Sequence, residues 1–414
     1  MIEYHRMKKT NAPPFGQVIF RRGCDSIKIH SILEGECIGK IAEQYGVSED
    51  IIRKNNFISN EGAVGEQLLI LTPTRTHTVC RGDSVERLCL RFGISRRELL
   101  ATNPTLSERG LIQGETIVIK YAEPIYGMGA SNGYFYKGCS IEQMRRVLPY
   151  LTYVTVAAAA ESGGEISRLF DDRAVVDEAI AADKIPLLRV YRRNNEEKYT
   201  KDYRDTLCDS LINAARSGKY SGIVLSEDTG DGYADFLVEL RRLMIGSDLI
   251  LITEISEDSP RETGEYADGS IISYDKYAME MPPSFPDGEG RIFADFACEG
   301  ESSKTFISLP AMAAWGRGYC TVSDAISTAR QYGCKISTDK DSLISHFSSS
   351  RRGEVSFCSL ENIKAILELV SEYGYMGVSF DIMRTPIQHF LMYSHLFRTV
   401  THTRVRAVEG CSEG

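Results

Sequence analysis

The feature that most constrains this 414-residue chain is a repeat near its N-terminus. "HSILEGECIGKIAEQYGVSEDIIRKNN", starting at His30, returns as "HTVCRGDSVERLCLRFGISRRELLATN", starting at His77. The offset is 47 at every landmark: Gly35 and Gly82, Glu36 and Asp83, Tyr45 and Phe92, Gly46 and Gly93, Ser48 and Ser95, Asn56 and Asn103. Further on, Gly65 answers Gly114 at an offset of 49, so one loop has gained two residues. A sequence that repeats at such a period encodes one small supersecondary unit more than once.

Each copy reads as strand, helix, helix, strand. In the second, Thr78 and Val79 end a short strand and Gly82 permits a turn. Asp83 is predicted to cap the next helix, with Glu86 completing a capping box. Val85, Leu88, Cys89 and Phe92 recur at helical spacing and give one apolar face. Gly93 stands where a left-handed residue closes a helix. Ser95 and Glu98 predict a second capping box, and "GETIVIK" a closing strand with Ile117 and Ile119 on one face. The first copy is weaker, because Glu36 is a poorer cap and Gly39 lowers helix propensity by about 1 kcal/mol.

The pattern "HTVCRGDSVERLCLRFGISRRELLATNP…LIQGETIVI" resembles a LysM module, and the first copy is similar but more diverged. The resemblance implies two βααβ modules, at 27–72 and 75–121, that bind N-acetylated glycans such as peptidoglycan or chitin. The implied groove runs between the loop after the first strand and the loop before the second. In the second copy that is Gly82, Asp83, Ser84, Asn103, Pro104, Leu111 and Ile112; in the first it is Gly35, Glu36, Cys37, Asn56 and Phe57. A plainer role for Asp83 and Asn103, as cap and turn alone, stands beside it. The copies differ in charge: four Lys/Arg against seven Asp/Glu over 27–72, eight against five over 73–121. A solvated face explains Arg87 and Arg91, with attraction to an anionic wall polymer as the second reading.

Composition excludes several classes. A formal net charge of −9 argues against nucleic-acid binding, which needs a basic face. No apolar run approaches a membrane span, and the basic residues Arg6, Lys8 and Lys9 are followed by no apolar core, so no secretory signal is read. The 11 cysteines include no CxxC pair and are odd in number, as expected of cytosolic thiols rather than a disulfide framework. No HxH or HExxH spacing supports a metal, and no cofactor is expected. Residues 1–26 and 403–414 read as tails, the first with a stray "QVIF".

From about Pro124 apolar runs alternate with amphipathic helices: "LTYVTVAAA", "AVVDEAIAA", "IPLLRV", "TLCDSLINAARSG", "SGIVLSED", "YADFLVELRRLM", "LILITEI", "GSIISYD", "TFISLPAMAAW" and "MGVSFDI". This alternation over 124–402 predicts a multidomain chain, α+β then α/β, whose long part is a (β/α)8 TIM-type barrel. An α+β insertion of helix, two strands and helix is expected before the last strand, at about 318–360. "YSGIVLSEDTGDGYADFLVELRRL", "SIISYD" and "YGYMGVSFD" resemble the fourth, sixth and eighth strands of family 18 glycoside hydrolases of the spore-germination type. That resemblance implies cortex peptidoglycan as the ligand class, and synthesis in a reducing cytoplasm with deposition on the forming spore or wall surface.

In that family the fourth strand ends D-x-x-D-x-D-x-E and the mechanism is substrate-assisted. Ser221, Val224, Ser226 and Asp228 stand at the four acidic positions, so three carboxylates are gone and the last is one methylene short. Misplacing a reacting group by ~1 Å can cost on the order of 10²-fold, and a positioned acid contributes roughly 10²–10⁴-fold. The expectation is a glycan-binding protein with an impaired barrel; the alternative is a hydrolase using Asp228 or Glu227. Tyr274 and Asp275 match the family's substrate-contacting pair, Asp381 replaces its tryptophan floor, and Trp315, the sole tryptophan, offers another stacking surface. New chemistry using Glu254, Asp275 or Asp381 is a third reading, with exposed loop charges as its plain counterpart.

Overall fold

A computed structural model describes residues 27–192, 198–226, 228, 230–255, 266–272, 302–316, 318–351 and 353–400. The first copy comprises β1 (Ile27–Ser31), α1 (Ile38–Tyr45), α2 (Glu49–Asn56) and β2 (Gln67–Leu71). The second comprises β3 (Arg75–Thr78), α3 (Val85–Phe92), α4 (Arg96–Thr102), a short α5 (Leu106–Arg109) and β4 (Thr116–Lys120). Each pairs its outer strands antiparallel, β1 with β2 and β3 with β4. The Ser95–Glu98 capping box forms as predicted. The cap of α3 does not: Ser84, not Asp83, accepts the Arg87 amide, because Asp83 is bound inside the preceding turn.

The barrel strands are β5 (Met128–Phe135), β6 (Tyr153–Ser162), β8 (Ile185–Arg192), β9 (Gly222–Leu225), β10 (Ile250–Ile255), β11 (Gly269–Ile272), β12 (Thr305–Ser308) and β18 (Gly377–Asp381). All eight pair in parallel, and β5 closes the ring against β6 and β18. The intervening β7 (Glu165–Arg168) hangs antiparallel on β6. Helices α6 (Ile141–Val147), α7 (Arg173–Ala181), α8 (Lys201–Ser217), α9 (Tyr233–Met244), α11 (Leu360–Glu372) and α12 (Ile387–Leu396) follow individual strands. The barrel interior holds Tyr134, Tyr153, Leu187, Val224, Ile252, Ile271 and Phe306. Val190, Ile223, Leu225 and Phe236 belong instead to the larger core between strands and helices.

Two elements differ from the sequence reading. "TFISLPAMAAW" is not one strand: Pro310 lies between β12 and β13 (Met312–Trp315), since it has no N–H for a ladder. The insertion therefore begins earlier and carries five strands, adding β14 (Gly318–Thr321), β15 (Ser337–Thr338), β16 (Ile344–Ser349) and β17 (Gly353–Cys358) to β13, with α10 (Val322–Tyr332) packed on them. The first barrel strand, "MGASNGYF", carries small and polar residues that gave no apolar run to read.

Candidate functional sites

At the barrel mouth β9 ends at Leu225. Val224 faces the interior. Ser226 is partly buried and its amide donates to the Val190 carbonyl at 3.3 Å. Asp228 lines a small cavity with Leu207 and Leu211 of α8 and Tyr233 and Phe236 of α9, between strand ends and helices. Its Oδ1 accepts the Gly230 amide at 2.7 Å, and its Oδ2 accepts the Tyr199 hydroxyl at 2.7 Å and the Arg192 guanidinium. Arg192 lies 4.3 Å from the Tyr199 ring centre and 3.9 Å from Glu161, whose other oxygen accepts the Tyr203 hydroxyl and the Gly164 amide at 2.8 Å each. Burial raises the Tyr199 hydroxyl far above its ordinary range, with the Asp228 hydrogen bond adding to it.

The interior itself is crossed by an ion pair. Glu254 on β10 accepts Arg189 Nε at 2.5 Å and Nη2 at 2.6 Å from β8, and the Tyr134 hydroxyl at 2.6 Å from β5. The guanidinium lies 3.7 Å from the Tyr191 ring centre. Burial alone would lower the Arg189 pKa, but the Glu254 carboxylate outweighs it and raises it. Burial, then the Glu254 charge, pushes the Tyr134 hydroxyl well up. The sequence signal was Arg189 inside "IPLLRV", a charge in an apolar run, which the strand-by-strand reading passed over.

Asp381 ends β18 and binds its own turn: Oδ1 accepts the Met383 and Arg384 amides at 2.9 Å each, and Oδ2 lies 3.3 Å from Arg384 Nη1. Trp315 sits in the inserted sheet, against the cluster that holds Ala313, Val322, Phe347 and Phe357, so it belongs to the insertion rather than the barrel. Glu227, Tyr274 and Asp275 lie outside the described residues.

In the two N-terminal modules, the repeat extends to contacts that the sequence reading did not name. Glu36 Oε2 accepts the Leu33 amide at 2.9 Å and binds His30 Nε2 at 2.8 Å; Asp83 Oδ2 accepts the Cys80 amide at 2.8 Å and binds His77 Nε2 at 2.8 Å. The Leu33 amide is the main cause of the lowered Glu36 pKa, and the His77 hydrogen bond that of the lowered Asp83 pKa. His77, Cys80 and Asp83 bring three metal-type donors within 4.8 Å of one another. The same His–carboxylate bond recurs in the first copy with Leu33 in place of the cysteine, so the pair serves the turn.

Asn56 and Asn103 both act as clamps. Each amide donates to a carbonyl four residues back, Ile52 or Leu99, and makes a two-way bond with the last strand, at Leu69 or Val118. Both are buried and turned into the module, as is Pro104. Gly82 and Ile112 are exposed, and Ser84 and Leu111 partly so. Phe57 adopts a left-handed φ of 50°, with Arg146 stacked 5.0 Å from its ring and its carbonyl accepting Arg330.

Comparison with known proteins matches the LysM domain at residues 30–70 and 77–120. No curated protein matches by sequence. Among solved structures, the spore cortex-lytic enzyme SleL of Bacillus megaterium superposes with a TM-score of 0.69 at 17% identity, over 91% of this chain and 99% of that one. SleL of Bacillus cereus gives 0.70 at 16% over the same shares. A chitinase from Chromobacterium violaceum gives 0.54 at 17%, covering 64% of this chain and 98% of its own.

Proposed function

Given a chain that carries two LysM domains ahead of a barrel of the family 18 type, we propose that it is a cell-wall or spore-surface protein that binds peptidoglycan or a related GlcNAc polymer without cutting it. The observation that carries the reading is the setting of Asp228. Both of its oxygens accept hydrogen bonds from the protein, and it packs in the layer beneath α8 and α9. A general acid must lie within hydrogen-bond reach of the leaving oxygen, whereas Asp228 is 7% exposed and each of its oxygens already holds a donor from the protein. Val224 and Ser226 supply no charge where positive charge develops, an effect worth several kcal/mol. Inside the barrel, Glu254 is bound on both oxygens by Arg189.

The purified chain is expected to sediment with insoluble peptidoglycan or chitin and to release no reducing ends from de-acylated cortex fragments. Deleting residues 27–121 should abolish sedimentation; retention by the bare barrel overturns the assignment to the modules. The fold shared with a cortex-lytic enzyme favours the alternative, a hydrolase acting through Asp228 or Glu227. Reducing ends released by the unaltered chain and lost in Asp228→Asn or Glu227→Gln would establish that alternative. Paired Ser226→Asp and Asp228→Glu substitutions test whether the missing carboxylates account for inactivity.

A further inference from the structure

Counting back from the closing glycines Gly65 and Gly114, the groove lip of the second module, Gly110-Leu111-Ile112-Gln113, corresponds to Glu61-Gly62-Ala63-Val64 in the first. The two lips have opposite surroundings. Ile112 is 42% exposed and no bond links its loop to residues 80–86 among the described residues. Ala63 is 6% exposed, buried in one cluster with Ala313, Val322, Ile336, Phe347 and Phe357 of the inserted sheet and its helix. Beside it the Ile336 amide donates to the Val64 carbonyl at 2.9 Å. A Cβ on Gly65 would lie 1.8 Å from the Ile336 backbone oxygen, so the insertion's backbone presses directly on this lip, and Gly62, opposite Leu111, carries no side chain to form an apolar edge.

The first module also bridges its own groove. Glu61, from the loop before its second strand, reaches across to the start of α1 and accepts the Ile38 amide at 2.8 Å, while Arg53 steadies the carboxylate at 3.2 Å. An acetamido oxygen entering that groove would meet a donor already satisfied by a charged acceptor, and would have to displace it. In the second module Gly110 stands at the position of Glu61, with no side chain to make such a bridge.

We infer that the two LysM modules have divided their roles: the second alone reads the GlcNAc polymer, and the first is a bracket whose groove is shut by Glu61 and roofed by the barrel's insertion. This rests on the glycan-binding reading above. It assigns the contact to the lip at Leu111 and Ile112 and the turn at Gly82 to Ser84, and withdraws it from Gly35 to Cys37.

The test uses the full chain on chitin beads, with soluble chitohexaose as competitor. Ile112→Asp changes an exposed side chain in the open lip and should lower retention at least tenfold, with an unchanged melting temperature. Leu33→Asp, at 64% exposure in the turn after the first module's first strand, should leave retention within twofold. Hydrogen exchange should show protection by chitohexaose at 82–85 and 110–113, and none at 35–38 or 61–64. Unchanged retention in Ile112→Asp, lost retention in Leu33→Asp, or new protection at 35–38 overturns the division of roles while leaving glycan binding intact. Failure of the unaltered chain to bind beads or peptidoglycan overturns the glycan reading and this inference with it.

Discussion

The two N-terminal modules share a fold and differ in what surrounds it. Ile38, Ile41, Ile52 and Leu69 of the first belong to the same apolar core as the barrel's outer layer, whereas Val79, Leu88, Leu99, Leu106 and Ile117 of the second form a core of their own. The first is fixed from three sides. Arg330 binds Glu66 through two nitrogens at 2.9 and 2.5 Å, Gln67 exchanges bonds with Glu361, and Gln388 of α12 donates to the Asn56 carbonyl. The second touches the barrel through Arg97 to the Pro149 carbonyl, Tyr150 to the Ala101 carbonyl and Arg146 to Glu108, and lends Val118 and Tyr121 to the shared core. One sequence pattern thus yields a docked strut in one place and a module with an open lip in the other, because the partner surface decides which faces stay open.

The sharpest way to break this contrast is to remove Arg330. Glu66 is 2% exposed, so Arg330→Ala leaves a buried carboxylate without its main partner, at a cost of roughly 3–5 kcal/mol. Thermal unfolding of the whole chain should shift accordingly, whereas Arg109→Ala, whose partner Glu115 keeps Lys54, should cost less than about 1 kcal/mol. Equal effects would mean that the Arg330–Glu66 bridge holds the first module no more firmly than a surface pair does.

A core truncation in each module comes next. Leu88→Ala and Ile38→Ala both empty a fully buried site, worth about 2–5 kcal/mol. Leu88→Ala should melt the second module ahead of the rest and split the transition, while Ile38→Ala should lower the main transition without splitting it. Calorimetry distinguishes them, and a single undivided transition in both variants would show that the second module shares the common core.

Acid should act where α12 meets the two modules. Burial lowers His389 to about 3 and His395 to about 4, and both lie on α12, next to Gln388 and edge-on to Tyr121. The unfolded chain takes up these protons below about 6.5 and the native chain does not, so stability falls as pH drops from about 6.5 towards 4. The slope reaches at most ~1.4 kcal/mol per pH unit for each histidine. His389→Leu should roughly halve that slope in melts recorded from pH 7 to 4; an unchanged slope would remove His389 from the account.

The smallest effect is a cap. Ser84 accepts an amide at the start of α3, whereas Cys37 makes no side-chain cap on α1. Ser84→Ala should destabilise by about 1 kcal/mol, and Cys37→Ser should stabilise by a similar or smaller amount, read from urea midpoints.

Periodicity made much of this legible. Helical spacing in "VERLCLRF" and "YADFLVELRRLM" located α3 and α9, and the 47-residue offset located both modules. That positions 224 and 226 carry no carboxylate was equally plain. β5 escaped because its core contribution is made by absence: a Cβ on Gly129 or Gly133 would lie 2.6 Å from Tyr393 or Leu151, so small residues there mark contact rather than a loop. The partners of Asp228 were not legible, because Arg192, Tyr199 and the Gly230 turn reach it from other segments beyond the end of β9.

The sequence by itself determined the local units, since capping, apolar spacing and turn glycines act over a few residues and need no distant partner. Only the tertiary structure decided which copies of those units remain open and which charges are neutralised. Arg189 and Glu254 are 65 residues apart, and Arg330 and Glu66 are 264 apart. Nothing local distinguishes a paired carboxylate from a free one. Burial and partnership are set by the closure of the barrel and the docking of its insertion, and the same acidic side chain is inert or reactive according to what that closure brings beside it.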